Sequence, residues 1–268
     1  MSYETSHEKY LDLARATTGI RGKRVLEVGG STPPATVLRY SPSEWTCVNL
    51  DARSVADSNA QARTLPGGSY SAVFEDITRI ERTNYYDIIY SINAFEHIQD
   101  LDVAFGRMLG ALRHGGHLFT LFGPIWSSDV GHHLSILTED KRELNFLDGI
   151  LSPWEHLTSN REAIHDKLAA LYGESTARKA VTYIYDYPDL NRLAERDYLR
   201  IVRASGFSPV VILRYRIGRP PNLANATSTR EFLMILKKGP ASYVERALCL
   251  ARFAAGFARQ KVSARRAR

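Results

Sequence analysis

Short apolar runs separated by amphipathic stretches set the pattern of this chain. Residues 8 to 16 carry helical spacing, and Arg24-Val25-Leu26-Glu27-Val28 reads as a compact strand closed by Gly29-Gly30. Pro33-Pro34 precede the helical stretch Ala35 to Tyr40; proline suits a first helical turn, where the backbone N–H would have no internal partner. A second strand, Trp45 to Leu50, ends at Asp51, and a third, Ser71 to Phe74, ends at Glu75-Asp76. The fourth, Asp87 to Ser91, leads to a helix whose Leu101, Ala104, Phe105, Met108, Leu109 and Leu112 share one face. Gly115-Gly116 are expected to end that helix, and a fifth strand, His117 to Phe122, stops at Gly123-Pro124.

Strands alternating with helices predict a parallel sheet covered on both faces, with ligands bound beyond the carboxyl ends of the strands. Two later strands, Val210 to Tyr215 and Glu231 to Leu236, have no helix between them and predict an antiparallel edge. Between 124 and 193 the alternation breaks, and aromatic residues including Trp126, Trp154, Tyr183 and Tyr185 accumulate. This stretch is expected to be a lid over the carboxyl edge; a helical decoration that only enlarges the core is the alternative.

Composition narrows the class. The chain has 268 residues and a net charge of +6, 44% of its residues are hydrophobic, and no apolar run reaches the ~20 residues of a spanning helix. The first residues carry acids and no apolar signal core, so a cytoplasmic location is expected. Cys47 and Cys249 are far apart in sequence, without the spacing of a zinc site or disulfide framework. From Ala241 onward seven basic residues face one acid, Glu245, so the tail holds the whole charge excess. The remaining 1–240 are neutral, which argues against a nucleic-acid partner. The tail itself reads either as a basic amphipathic helix touching an anionic membrane surface or as a plain surface helix.

A nucleoside cofactor needs backbone close to its charged end and an acid for its ribose; Gly29 and Asp51, 22 residues apart, fit both needs. A nicotinamide dinucleotide would further require G-x-G-x-x-G, which Gly29-Gly30-Ser31-Thr32-Pro33 lacks. The ordered segments VLEVGGSTP, VNLDAR, FEDIT, YDIIYSINAFEHIQD and LRHGGHLFTLFGP resemble the motif set of class I S-adenosylmethionine-dependent methyltransferases over residues 20 to 124. The later GP-x-x-S-x-x-G-x-H and PW-x-HL stretches resemble a type 11 small-molecule branch. The resemblance implies a Rossmann-like, doubly wound, seven-stranded α/β fold with a helical lid insertion over 1–240, followed by a basic extension from 241 to 268. It also implies that S-adenosylmethionine is bound and S-adenosylhomocysteine released. Glu27, Gly29, Gly30 and Ser31 would hold the methionine portion, Asp51 the ribose, and Asp76 with Ile77 the adenine, with Ser91 a further cofactor contact. Ser31 and Pro33 stand where the family carries its second and third glycines, which keeps a non-catalytic partner protein with a degenerate site as an alternative.

Methyl transfer from a sulfonium is an in-line displacement, so the protein must position the acceptor and, for an alcohol, supply a base. His97, His132 and His133 are the candidate bases; packing of His97 against the next helix and exposure of the other two on a loop are the alternatives. No metal ligand set is expected, since His132 and His133 are adjacent and share no helical face. The segment after the fourth strand reads Ser-Ile-Asn-Ala-Phe rather than the Asn/Asp-Pro-Pro-Tyr of enzymes that methylate planar nitrogens. The expected reaction is therefore methylation of a hydroxyl, less readily an amine, on a small molecule such as a sugar or natural-product intermediate. A nucleic-acid methyltransferase is the remaining alternative.

Overall fold

The computed structural model describes residues 3–30, 32–66 and 69–266. Helix α1 (Tyr3–Thr18) leads into β1 (Arg24–Val28), α2 (Pro34–Leu38), β2 (Glu44–Asn49), α3 (Ala52–Arg63) and β3 (Tyr70–Phe74). After β4 (Tyr86–Ile92), α4 (Leu101–Ala111) and β5 (Leu112–Phe122) comes an insertion. It contains the hairpin β6 (Ser135–Leu137) and β7 (Glu143–Asn145), then α5 (Glu155–Thr158), α6 (Arg161–Tyr172) and α7 (Glu174–Asp186). The chain closes with α8 (Glu195–Ala204), β8 (Phe207–Arg216), β9 (Thr229–Lys238) and α9 (Tyr243–Arg266).

Seven strands form one sheet in the order β3-β2-β1-β4-β5-β9-β8. The first five are parallel, and β9 runs antiparallel between β5 and β8. The order reverses between β1 and β4, and a crevice opens at the carboxyl ends there. Burial on both faces explains why adjacent positions are apolar in both strands, Val25-Leu26 in β1 and Ile88-Ile89-Tyr90 in β4. Alternate side chains supply two cores. Leu26, Val28, Ile89, Leu118 and Met234 meet α4 and α8, while Val25, Trp45, Tyr90, Phe119 and Ile235 meet α1, α2 and α9.

The expected glycine stop to α4 is corrected by the structure. The helix ends at Ala111, and Gly115-Gly116 lie inside the longer β5, where Leu112 already pairs with Tyr86 before a bulge. A Cβ on Gly116 would sit 3.0 Å from the carbonyls of Arg113 and Asp87, so this glycine serves a close backbone approach rather than a helix cap. Within the stretch expected to be the basic extension, α9 packs on the sheet through Cys249 and anchors Glu245 to His117 and Lys237. No helix among the described residues is long and apolar enough to cross a membrane.

The insertion has a core of its own, built from Leu134, Ile136, Leu144, Ile164, Leu168 and Ile184. It is fastened to the main sheet through Asp129, which is 5% exposed and accepts a two-pronged pair from the Arg230 guanidinium on β9. The Asp129 carbonyl also accepts the Trp154 N–H at 2.8 Å, and the Trp154 indole donates to Thr227 at 3.1 Å. Replacing Arg230 by Ala strands a buried carboxylate, a loss of about 3–5 kcal/mol in broken buried pairs. Urea denaturation of R230A should show a loss of that size; a loss below about 1 kcal/mol would mean that water already screens the pair.

Candidate functional site

The glycine turn after β1 rests on a buried acid. Strand alternation sends Glu27 to the α1 face, where it is 1% exposed. Its Oε1 accepts the Thr32 backbone N–H at 3.0 Å and the Thr32 hydroxyl at 2.6 Å, and its Oε2 accepts the Trp45 indole N–H at 2.8 Å. Burial pushes this carboxyl above its ordinary range, and the three donors pull it back. A Cβ on Gly30 would collide with Glu27 Oε1, and one on Gly29, which has φ +73, would collide with Ala94. Both glycines are thus required for the turn to lie flat over the acid. The Gly30 carbonyl is held in turn by the Asn49 amide and the Cys47 thiol, each at 2.9 Å. Ser31, expected in the same turn, lies outside the described residues.

A cavity of about 180 Å³ opens beside this turn, with Gly29, Leu50, Asp76, Ile77, His97 and Asp189 among its walls. Asp76 accepts the Thr78 N–H at 2.8 Å and so fixes the bend after β3. Asp51 stands at the adjoining rim as the N-cap of α3; its Oδ1 accepts from Arg53 and Ser54, which leaves Oδ2 for a ligand. Glu27 lies under the turn and is not among the residues that line the cavity, and its hydrogen bonds shape the backbone of the turn. Ser91 is likewise not among the residues that line the cavity. It is fully buried and donates its hydroxyl to the Val28 carbonyl at 2.9 Å, stitching β4 to β1.

The three candidate histidines part company. His97 is exposed on the cavity wall and its Nδ1 lies 2.8 Å from the Asp189 carbonyl. A carbonyl only accepts, so Nδ1 donates to it, and the neutral ring in that arrangement has its lone pair on Nε2. The His133 ring stands 5.3 Å from that of His97, and its Nε2 donates to the Pro124 carbonyl. His132 instead faces His156, rings 5.5 Å apart, and is 1% exposed. Burial pulls His132 down to about 3, and His133 and His156 to about 4, so all three are neutral near pH 7. Among the described residues no group of three or more His, Cys, Asp and Glu is placed to hold a metal ion.

Residues 188 to 191 strap the insertion across the segment that follows β4. Pro188 accepts from the Gln99 amide, Asp189 from His97, and the Asn191 amide donates to Phe95 at 2.6 Å and Ile98 at 3.0 Å. Beneath the strap lies Glu96, 1% exposed, whose Oε1 accepts the Gly123 N–H at 3.1 Å. Its Oε2 has no hydrogen bond among the described residues. Asn49 and Asp189 were not singled out from the sequence; an Asn two residues before the rim acid is the local signal for the first, and only the fold brings Asp189 to the cavity.

Residues 5–147 match a family model described as a methyltransferase domain. No curated protein matches the sequence. Among solved structures, an S-adenosylmethionine-dependent methyltransferase from Mesorhizobium loti aligns over 87% of this chain and 99% of its own, with TM-score 0.54 and 15% identity. Geranyl diphosphate C-methyltransferase from Streptomyces coelicolor A3(2), solved with Mg2+, geranyl diphosphate and S-adenosylhomocysteine, aligns over 88% and 77%, with TM-score 0.54 and 13% identity. A methyltransferase complexed with the Haloferax volcanii Trm112 activator aligns over 88% and 92%, with TM-score 0.51 and 14% identity. At these identities the likeness is one of fold.

Burial raises the Glu96 carboxyl from 4.5 to about 8, so the folded protein holds a proton there that the unfolded chain releases above 4.5. Its stability contribution is full below pH 4.5 and is lost as pH rises to about 8. Glu96→Gln mimics the protonated acid at every pH. Melting temperatures across this range should show E96Q gaining steadily on the native protein; a constant gap would place the ionised form in the fold.

Proposed function

The chain belongs to the class I S-adenosylmethionine-dependent methyltransferases, and from that premise we propose that it methylates a hydroxyl group on a small molecule such as a sugar or natural-product intermediate. The residues present fit the cofactor. Gly29 and Gly30 carry no side chains where the methionine portion would approach, Asp51 keeps one carboxylate oxygen for the ribose, and Asp76 with Ile77 and Leu50 line the cavity for the adenine. When bound, S-adenosylmethionine supplies an electrophilic methyl group on a sulfonium.

The observation that carries the hydroxyl reading is the 2.8 Å contact between His97 Nδ1 and the Asp189 carbonyl. With Nδ1 donating to Asp189, the neutral ring offers Nε2 as the acceptor for the proton that an alcohol releases as its oxygen is alkylated, from a residue that lines the cavity. His133 backs that ring at 5.3 Å and, being neutral, adds no charge to oppose the imidazolium that forms. His132 has no part in this scheme. The insertion acts as a lid, since the strap at 188–191 carries the carbonyl that orients His97 and closes the cavity from one side. Neutrality of 1–240 and the Ser-Ile-Asn-Ala-Phe segment favour a small acceptor over nucleic acid. Exposed Tyr243, Val244 and Leu250 on α9, on the same helix as its basic residues, support a peripheral contact with an anionic bilayer in the cytoplasm.

Calorimetric titration with S-adenosylhomocysteine should give binding that Asp51→Ala weakens at least about tenfold, the loss of one charged hydrogen bond. His97→Ala should lower turnover on hydroxylated acceptors by about 10²–10⁴-fold, the usual worth of a general base, a far larger change than any in S-adenosylhomocysteine affinity from trimming one wall of the cavity. Absence of binding by the native protein would bring forward the non-catalytic partner reading. Full turnover by H97A would remove His97 as the base.

A further inference from the structure

On the α1 face of the sheet a second opening of about 560 Å³ runs along the rim between α1, α9 and strands β5, β9 and β8. Its walls are mainly apolar, with Tyr10 and Leu13 from α1, Leu121 from β5, Leu213 from β8, Leu233 from β9 and Phe253 from α9, while Lys9, Arg214, Arg230 and Glu231 also line it. A pocket of this size and lining is typical of small-molecule sites. It sits at the carboxyl end of β5, since Leu121 pairs with Leu233 in the ladder. Leu121 also pairs with Ile92, the last residue of β4, so the groove borders the end of the strand beside the cofactor turn.

One residue in it breaks the pattern. Leu233 and Ile235 face the α1 and α9 side, and alternation puts Glu231 on that same face, where the row should remain apolar. The Glu231 carboxylate makes neither a hydrogen bond nor an ion pair among the described residues. The two arginines at the rim are already committed, Arg230 to Asp129 and Arg214 to Glu195 at 2.9 Å. Burial raises the Glu231 carboxyl above its ordinary range, while the charges of Arg230 and Lys9 oppose the rise. A half-buried acceptor of hydrogen bonds facing an apolar groove is costly unless something donates to it.

We propose that this groove receives the methyl acceptor and that Glu231 binds a hydroxyl or ammonium group at the end of the acceptor remote from the methylated atom. This rests on the methyl-transfer reading above and narrows it. Strands stand about 4.8 Å apart and β9 lies two strands from β4, so the two functional ends of the acceptor are offset by roughly 10 Å along the sheet, and the acceptor crosses its carboxyl edge to reach the His97 side. The span between them is apolar, which selects an amphipathic natural-product intermediate over a bare sugar. Glu231 is a positioning residue and takes no part in proton transfer.

The test uses the full chain saturated with S-adenosylhomocysteine and three probes of equal length: octylamine, 1-octanol and octanoate. Titration should show octylamine and octanol binding at least about tenfold more tightly than octanoate, which Glu231 repels. Glu231→Gln should erase the advantage of octylamine over octanoate while leaving S-adenosylhomocysteine affinity unchanged. Leu213→Trp should weaken all three probes by filling the groove. Octanoate binding as tightly as octylamine would show that the Lys9 charge governs the mouth and would overturn the proposal. So would a ranking that survives E231Q, or failure of all three probes to bind. Loss of S-adenosylhomocysteine binding in the native protein would instead indict the methyl-transfer reading itself.

Discussion

A carboxyl group sealed under a backbone turn is the constraint on which the rest of this molecule depends. Glu27 has no water to solvate it, so every lone pair it uses must find a donor inside the protein. Thr32 supplies two and Trp45 one. Those bonds fix where the chain goes after β1, and Gly29 and Gly30 are the only residues small enough for the path that results. The carboxyl ends of β1 and β2 then stand together, with Cys47 and Asn49 reaching back from β2 to hold the Gly30 carbonyl. A ligand meeting this turn meets a surface whose shape was settled by hydrogen bonds beneath it.

Glu96 repeats the device on the other side of the crevice, with a different balance. It has one backbone donor, from Gly123, and one oxygen without a partner, so its proton stays on into the neutral range. The two acids bracket the end of β4: one organises the turn, the other the start of the insertion at Gly123. Between them the post-β4 segment is pinned by Asn191, whose side chain reaches two carbonyls and whose own oxygen accepts from Tyr198 at 2.9 Å. The orientation of His97 is thus set by a chain segment more than ninety residues away in sequence.

Local signals made much of this readable from the amino-acid order. The five parallel strands are short apolar runs ended by turn residues or acids, and all appear within a few residues of where periodicity puts them. Helix α3 was missed because Ser58 is its one buried residue, so no apolar stripe marks it; Asp51, read as a ligand, is also its N-cap. Gly115-Gly116 look like a helix stop because nothing local reveals the carbonyl of Asp87 beside Gly116. His132 and His133 are indistinguishable in sequence, yet a positive φ of 51° at His133 turns it toward His97 while its neighbour packs on His156. Ser91 reads as polar and therefore available, whereas its hydroxyl is spent on the next strand. Glu231 carries meaning only once β9 is known to lie beside β5.

The rim groove is walled on one side by α1 and on another by α9, elements from opposite ends of the chain that also touch each other. The cofactor half, from β1 to β5, contributes little to it beyond Leu121. The two sites are therefore encoded in separable stretches of the gene. On the acceptor reading proposed above, changes in the first twenty codons and from codon 213 onward can reshape the groove while Gly29, Asp51 and Asp76 stay untouched, which gives lineages of this fold a route to new acceptors at constant methyl-donor chemistry.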